Sequence, residues 1–238
     1  MSADSQPHEG KLQDKDLASR LNWLRAAVLG ANDGIVSVAG IVLGVAGATT
    51  NRTNISIAGI AGLIAGALSM AAGEYVSVST QRDSERAMLR KERYKLGELP
   101  REKLEKLTQS YQRKGLTRDL AEQIAHQLIE HDALGAHAEV ELGMCSERIN
   151  PWHAAGASFI AFTIGALIPF LAILISGSSL RVPITFVAVI VALTITGVSS
   201  ARLGQAADCR PAIIRNVLGG VVAMTVTYGV AHLVGCAI

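Results

Sequence analysis

The chain has 238 residues, half of them hydrophobic but only 4% aromatic, and a net charge of +2. So small a charge does not call for nucleic acid, and three cysteines without CxxC spacing point to neither a disulfide framework nor a zinc knuckle. The charged residues crowd between Gln81 and Arg148, which excludes a soluble domain, since that would scatter them over every surface helix.

In chain order, residues 1–25 form a polar and charged N-terminal segment. The apolar stretch after it is too long for the core of a cleavable signal peptide. Roughly 20 apolar residues cross the hydrocarbon core as a helix, and five segments qualify: 26–48, 55–79, 154–175, 182–201 and 212–235. The chain therefore divides into an N-terminal segment (1–25), two spans (26–80), a polar lobe (81–150) and three spans (151–238). Two connections are nearly free of charge, "TTNRTN" with Arg52 and "SGSSLRVP" with Arg181. Basic residues collect elsewhere. Lys11, Lys15, Arg20 and Arg25 precede the first span, thirteen Lys and Arg fall between Arg82 and Arg148, and Arg202, Arg210 and Arg215 flank the last link. By the positive-inside rule the N-terminus and the lobe face the cytoplasm and the C-terminus lies outside.

In the first span, Asp33, Ser37, Gly40, Gly44 and Gly47 share one narrow face at 100° per residue, with Asn32 beside them. Small residues on one stripe let helices approach closely in lipid. A carboxylate there costs several kcal/mol unless paired, hydrated or neutralised, on the order of 3 kcal/mol by insertion scales. It serves as a ligand, pairs with Arg25, or caps a helix broken near Gly34. The second span repeats the design, with Gly59, Gly62, Gly66, Met70, Gly73 and Ser77 on one face and Glu74 at its margin. A thioether with carboxylates suits a borderline divalent transition metal better than calcium or magnesium. Taken singly, Met70 also reads as packing, and Glu74 as a side chain reaching to the membrane edge near Arg82.

The lobe reads as helical. The second span continues without Gly or Pro to Gly97 and Pro100, and a helix follows from Pro100 to near Arg113 with Leu104, Leu107 and Tyr111 as its apolar stripe. Thr117 is a fitting N-cap for a longer helix ending near Gly143, with Leu120, Ile124, Leu128, Leu134 and Leu142 on its buried side. Opposite them, Glu122, His126, Glu130, His137, Glu141 and Met144 fall within about 100° of one another. These are ligand types for ferrous or similar ions, or else a solvated polar face. "HQLIEH" is not a metalloprotease motif, because the glutamate does not follow the first histidine.

"GANDGIVSVAGIVLGVAGA", "GALSMAAGEYVSVSTQRDSE" and "HDALGAHAEVELGM" resemble the vacuolar iron transporter family, and the likeness covers essentially the whole chain after residue 20. The resemblance implies an all-α membrane protein with five spans and a cytoplasmic helical lobe inserted between the second and third. It implies a homodimer whose first spans line a central pathway for Fe2+, with protons moving in exchange. Asp33 and Met70 match the family's pathway positions, and Glu74 its GEY glutamate. Glu92 and Glu141 match glutamates of the metal-binding lobe, and His137 lies where other members place a ligand-capable residue. The family's lobe usually has acidic residues where this chain has Lys95, Lys103 and Lys106, with Glu98, Glu102 and Glu105 close by and the last two displaced by one position.

The function expected is export of a divalent cation from the cytoplasm in exchange for protons, with no permanently bound cofactor. Fe2+ stands first, Mn2+ second, and Co2+, Ni2+ and Zn2+ are chemical neighbours. A membrane-anchored metal sensor or scaffold without transport is the competing class. An enzyme is not expected, because the spans hold no Ser/His dyad, HExxH or paired Asp motif. A bacterial inner membrane is the expected location, and a vacuolar membrane the alternative.

Overall fold

A computed structural model describes the backbone of residues 7–142, 150–204 and 208–237, and their side chains except before Arg25, at 141–142 and at 237. These residues form α1 (Pro7–Ala48), α2 (Arg52–Glu98), α3 (Pro100–Arg113), α4 (Arg118–Leu142), α5 (Pro151–Ile175), α6 (Arg181–Leu203) and α7 (Arg210–Ala237). Among the described residues, five helical stretches are long and apolar enough to cross a bilayer: Arg25–Ala48, Arg52–Glu98, Pro151–Ile175, Arg181–Leu203 and Arg210–Cys236. The helix of α1 begins well before its apolar part, so the polar N-terminal segment is itself helical from Pro7. The chain divides into two compact units, Met1–Val76 with Asn150–Ile238, and Ser77–Ile149.

In the first unit α1 packs on α5, α6 and α7. Val38, Val42 and Leu43 of α1 are sealed against Phe162, Ile173, Leu193 and Met224. Glycine decides how near the backbones come. A Cβ at Gly34 would collide with the Phe162 carbonyl, and one at Gly165 with the Ala31 carbonyl. Close approach of this kind replaces the hydrophobic effect as the packing device in lipid. Gly44 and Gly47, on the small-residue stripe, meet Thr227 and Tyr228 of α7. The two isolated arginines close helix ends. Arg52 donates to the Leu174 carbonyl of α5, and Arg181 Nη1 to the Thr50 carbonyl just past α1, at 3.1 Å. Both put positive charge where helix C-termini leave carbonyls unsatisfied.

Helix α2 has 47 residues, those up to Val76 in the first unit and the rest in the second. Among the described residues it has no close backbone packing with another helix. Instead Phe170, Ile41 and Phe162 push side chains against Gly59, Gly62 and Gly66. Much of α2 stays uncovered, including Ile57, Ile60, Ile64 and Leu68, as does a row on α7 of Leu218, Val222, Val226 and Val230. These rows recur every three or four residues, so each is one helix face suited to lipid or to another helix.

The second unit holds the rest of α2 with α3 and α4. Helix α3 opens on Pro100 and buries Leu107, with Leu104 and Tyr111 against the same core as Ala125 and Ala136. Leu120, expected inside, is exposed, and Ala121 and Ala125 are buried in its stead. The expected long helix is also broken. Asp132 has φ −157° and ψ 89°, and its Oδ1 accepts the Gly135 N–H at 3.0 Å, capping a second helical segment inside α4.

Candidate functional site

The first unit carries an open groove of about 510 Å³. One wall is α1, with Asp33, Ser37 and Ile41, and the other is α2, with Ser69, Met70, Gly73 and Glu74. Phe162 of α5 lies at its base, against Gly66. Antiparallel hairpin geometry explains the meeting. Asp33 lies seven residues inside the polar end of the first apolar stretch, and Glu74 five residues inside the polar end of the second. Chain reversal at "TTNRTN" brings those ends level. The Ser37 hydroxyl donates to Asp33 Oδ1 at 2.8 Å, which orients the carboxylate and leaves it lone pairs for another ligand.

The two structural uses for Asp33 are not realised. Helix α1 runs unbroken past Gly34, and among the described residues no cation pairs with Asp33 or Glu74. Asn32 does not line the groove; its Oδ1 is buried without a hydrogen-bond partner. The structure thus brings together Asp33, Ser37, Met70 and Glu74, and leaves Asn32 apart. One chain supplies two carboxylates and a thioether. Among the described residues no group of three or more His, Cys, Asp or Glu is placed to hold a metal ion.

The ligand types of the second unit are dispersed. Glu92 and His137 are buried together, with His137 Nδ1 3.9 Å from Glu92 Oε1, and the Lys103 ammonium is in direct ionic contact with that same oxygen. All three side chains are at most 5% exposed. Removing one partner of such a buried pair costs about 3–5 kcal/mol, because the other charge is left without compensation. Glu102 and Glu105 project from α3 and are taken up by Lys106 at 2.9 Å and Arg118 at 3.1 Å. Lys106, by its hydrogen bond and its charge, holds the Glu102 carboxyl below the usual carboxylate range. Burial, with Glu139 adding to it, pushes the Tyr111 phenol up.

His126 and Glu130 line a shallow surface groove with Asp119 and Glu122 on one face of α4. The break at Asp132 separates them from His137, so the polar stripe expected along one helix is two faces: His126 and Glu130 are exposed, and His137 is fully buried. The Glu141 side chain and Met144 lie outside the described residues.

Sequence reasoning did not single out Ser69 or Phe162, which line the groove, or the cluster around His232. His232 Nδ1 lies 3.1 Å from the Gly47 carbonyl, and its ring stacks on Tyr228 with centroids 6.0 Å apart. Tyr228 and His232 are four residues apart on α7, a spacing readable beforehand, whereas the partner glycine on α1 was not.

Among the described residues, five helices long and apolar enough to cross a bilayer, and a groove between α1 and α2 that holds two carboxylates, define a multi-pass membrane protein with polar chemistry between its spans. The VIT family model matches residues 24–232, and the chain belongs to that family. It is 40% identical to a vacuolar iron transporter of Acanthamoeba castellanii, over 92% of this chain and 81% of that one. It is 36% identical to vacuolar iron transporter homolog 2.1 of Arabidopsis thaliana, over 94% and 87%. A third relative, vacuolar iron transporter homolog 5 of Oryza sativa subsp. japonica, is 39% identical over 92% and 83%. These relatives are transporters and not enzymes, in line with the class expected from the sequence.

Proposed function

We infer that this protein moves divalent transition-metal cations across a membrane, and that the groove between α1 and α2 is part of their path. The observation that carries the reading is the position of Asp33, Met70 and Glu74 on one groove, with no Lys or Arg among the described residues paired to either carboxylate. A resident Arg or Lys would make an intramembrane carboxylate structural; without one, an incoming cation or a proton must balance it. Metal and proton compete for the same lone pairs, so a proton gradient can drive metal release at such a site. Fe2+ is the favoured cargo, supported by relatives named iron transporters, with Mn2+ next and Co2+, Ni2+ and Zn2+ as competitors.

The distribution of basic residues supports an orientation with the N-terminus and lobe in the cytoplasm and the C-terminus outside, and in that orientation the proposed flux is export from the cytoplasm against inward protons. A homodimer fits two features. The groove is open on a single chain, and the donors of one copy are too few for a closed coordination shell. A second copy related by a two-fold axis would double them. The bilayer is a bacterial inner membrane on the sequence reading, or a vacuolar membrane by analogy with the relatives' names. A sensor without flux would need metal in the second unit, where Glu92 is already paired with Lys103.

Reconstitution tests this. Fe2+ uptake into proteoliposomes under an imposed pH gradient should be gradient-driven in the wild type and lost in Asp33→Ala. Wild-type flux in that variant would refute the pathway.

A further inference from the structure

The ends of α1 and α7 meet at a place that the transport reading does not use. A Cβ at Gly47, in the last turn of α1, would collide with the Tyr228 carbonyl, and one at Gly235 with the Ala48 backbone. That close contact fixes the last turns of α7 on α1. It sets His232 and Cys236, four residues apart, side by side on one helix face. Along α1 this end is about 21 Å from Asp33 at 1.5 Å per residue, so it is separate from the groove.

The tautomer of His232 follows from its partner. A carbonyl oxygen can only accept, so Nδ1, 3.1 Å from the Gly47 carbonyl, carries the proton. In the neutral ring Nε2 then holds a lone pair, and it faces Cys236 Sγ at 3.9 Å. A histidine that donates one ring nitrogen to a carbonyl and offers the other is prepared as a metal ligand. With Zn–S about 2.3 Å and Zn–N about 2.1 Å at a tetrahedral angle, sulfur and nitrogen stand about 3.6 Å apart. A shift of a few tenths of an ångström would bring the observed pair to that separation. As a hydrogen bond the same contact is slight, because a thiol is a weak donor. Charge also favours a cation. Both helices end here, and their last carbonyls carry negative partial charge, while Arg52 and Arg181 are turned onto the Leu174 and Thr50 carbonyls. Both side chains are exposed, so an ion keeps water in its other positions and no charge is buried.

We propose that His232 and Cys236 form a binding site for a thiophilic divalent cation of the Zn2+ or Co2+ type, distinct from the carboxylate groove. As the metal–sulfur bond forms, the Cys236 S–H gives its proton to water, and Nε2 supplies the second bond. A thiolate with an imidazole selects softer ions than carboxylates do. In the proposed orientation the pair lies on the non-cytoplasmic side, where exported ions emerge. The site itself does not rest on the flux reading, because its test reads binding alone.

The full-length protein in detergent is titrated with Co2+ in a Cys145→Ser/Cys209→Ser background, which leaves Cys236 as the sole thiol. A thiolate bound to Co2+ absorbs in the near ultraviolet by charge transfer. That band should appear with one Co2+ per chain and be absent in Cys236→Ser. His232→Gln keeps a donor for the Gly47 carbonyl but removes the imidazole, and should weaken Co2+ binding at least tenfold. Asp33→Asn should leave the titration unchanged. No band in the parent, or a band lost with Asp33→Asn, would overturn the proposal. So would equal affinity in His232→Gln, which is the behaviour of an exposed thiol binding alone. Alkylation of Cys236 in the unaltered protein, followed by mass spectrometry, gives a readout that needs no variant. Co2+ should slow it at least tenfold, and an unchanged rate would contradict the site.

Discussion

The groove of the first unit and the buried centre of the second are built from the same kind of residue and treat it in opposite ways. Asp33 and Glu74 line an open space where, among the described residues, Asp33 accepts a serine hydroxyl and neither carboxylate meets a cation, whereas Glu92 is sealed from water and joined to a lysine. A carboxylate balanced by the chain is part of the structure; one left unbalanced is available to a mobile cation. An acidic residue of this protein is therefore a candidate metal ligand only where no resident cation already holds it.

That comparison can be broken most decisively at Asp33. Asp33→Asn keeps the shape and removes the charge, and cation flux should fall about a hundredfold, the scale of some 3 kcal/mol in the barrier; retained flux in liposomes would place the two regions on the same footing. Packing around the groove comes next. Gly34→Ala sets a methyl against the Phe162 carbonyl and the Ala166 N–H, and should destabilise the first unit by about 1–3 kcal/mol in detergent unfolding. Gly229→Ala on α7 meets nothing within 4 Å and should be neutral or slightly stabilising.

A smaller effect sharpens the account of how the open carboxylate is aimed. Ser37→Ala removes the 2.8 Å hydrogen bond to Asp33 and should lower flux about three- to tenfold, as one hydrogen bond to a charged group is worth roughly 1.5 kcal/mol. An equal loss from Ser77→Ala, outside the groove, would argue against a specific role for Ser37. The smallest effect is at the surface of the second unit. Because the folded Glu102 carboxyl titrates below its ordinary value, its pairing with Lys106 favours the fold at pH above that ordinary value. The contribution is lost as pH falls through the lowered value, and solvent screening makes it slight. In Lys106→Ala the Glu102 titration followed by NMR should move up; no movement would mean that Lys106 does not hold it.

The five spans were legible because apolar length is a direct reading of bilayer thickness, and four of the observed helices agree with the expected segments within a few residues, while the second runs on past 79 to Glu98. Pro100 marked the start of α3 equally well, since it suits a first helical turn and forbids continuing α2. Periodicity also placed Asp33 with Ser37, and Met70 with Gly73, on one side of their helices. It failed along α4. A constant 100° per residue assumes an unbroken helix, and Asp132 resets the phase by capping a new segment, which buries His137 while His126 stays outside. "HDALGAH" did contain the signal, an Asp three residues before a Gly. Nothing local could have shown that Lys103 meets Glu92, because that contact depends on how three helices pack.

The most direct test sets the two regions against each other in one assay. Fe2+ flux driven by a pH gradient is measured for wild type, Asp33→Asn and Glu92→Gln/Lys103→Met, each shown to be folded. The account predicts that flux disappears in the first variant and persists in the second. Flux that survives loss of the Asp33 charge, or that vanishes when the neutral buried pair is replaced, would contradict it.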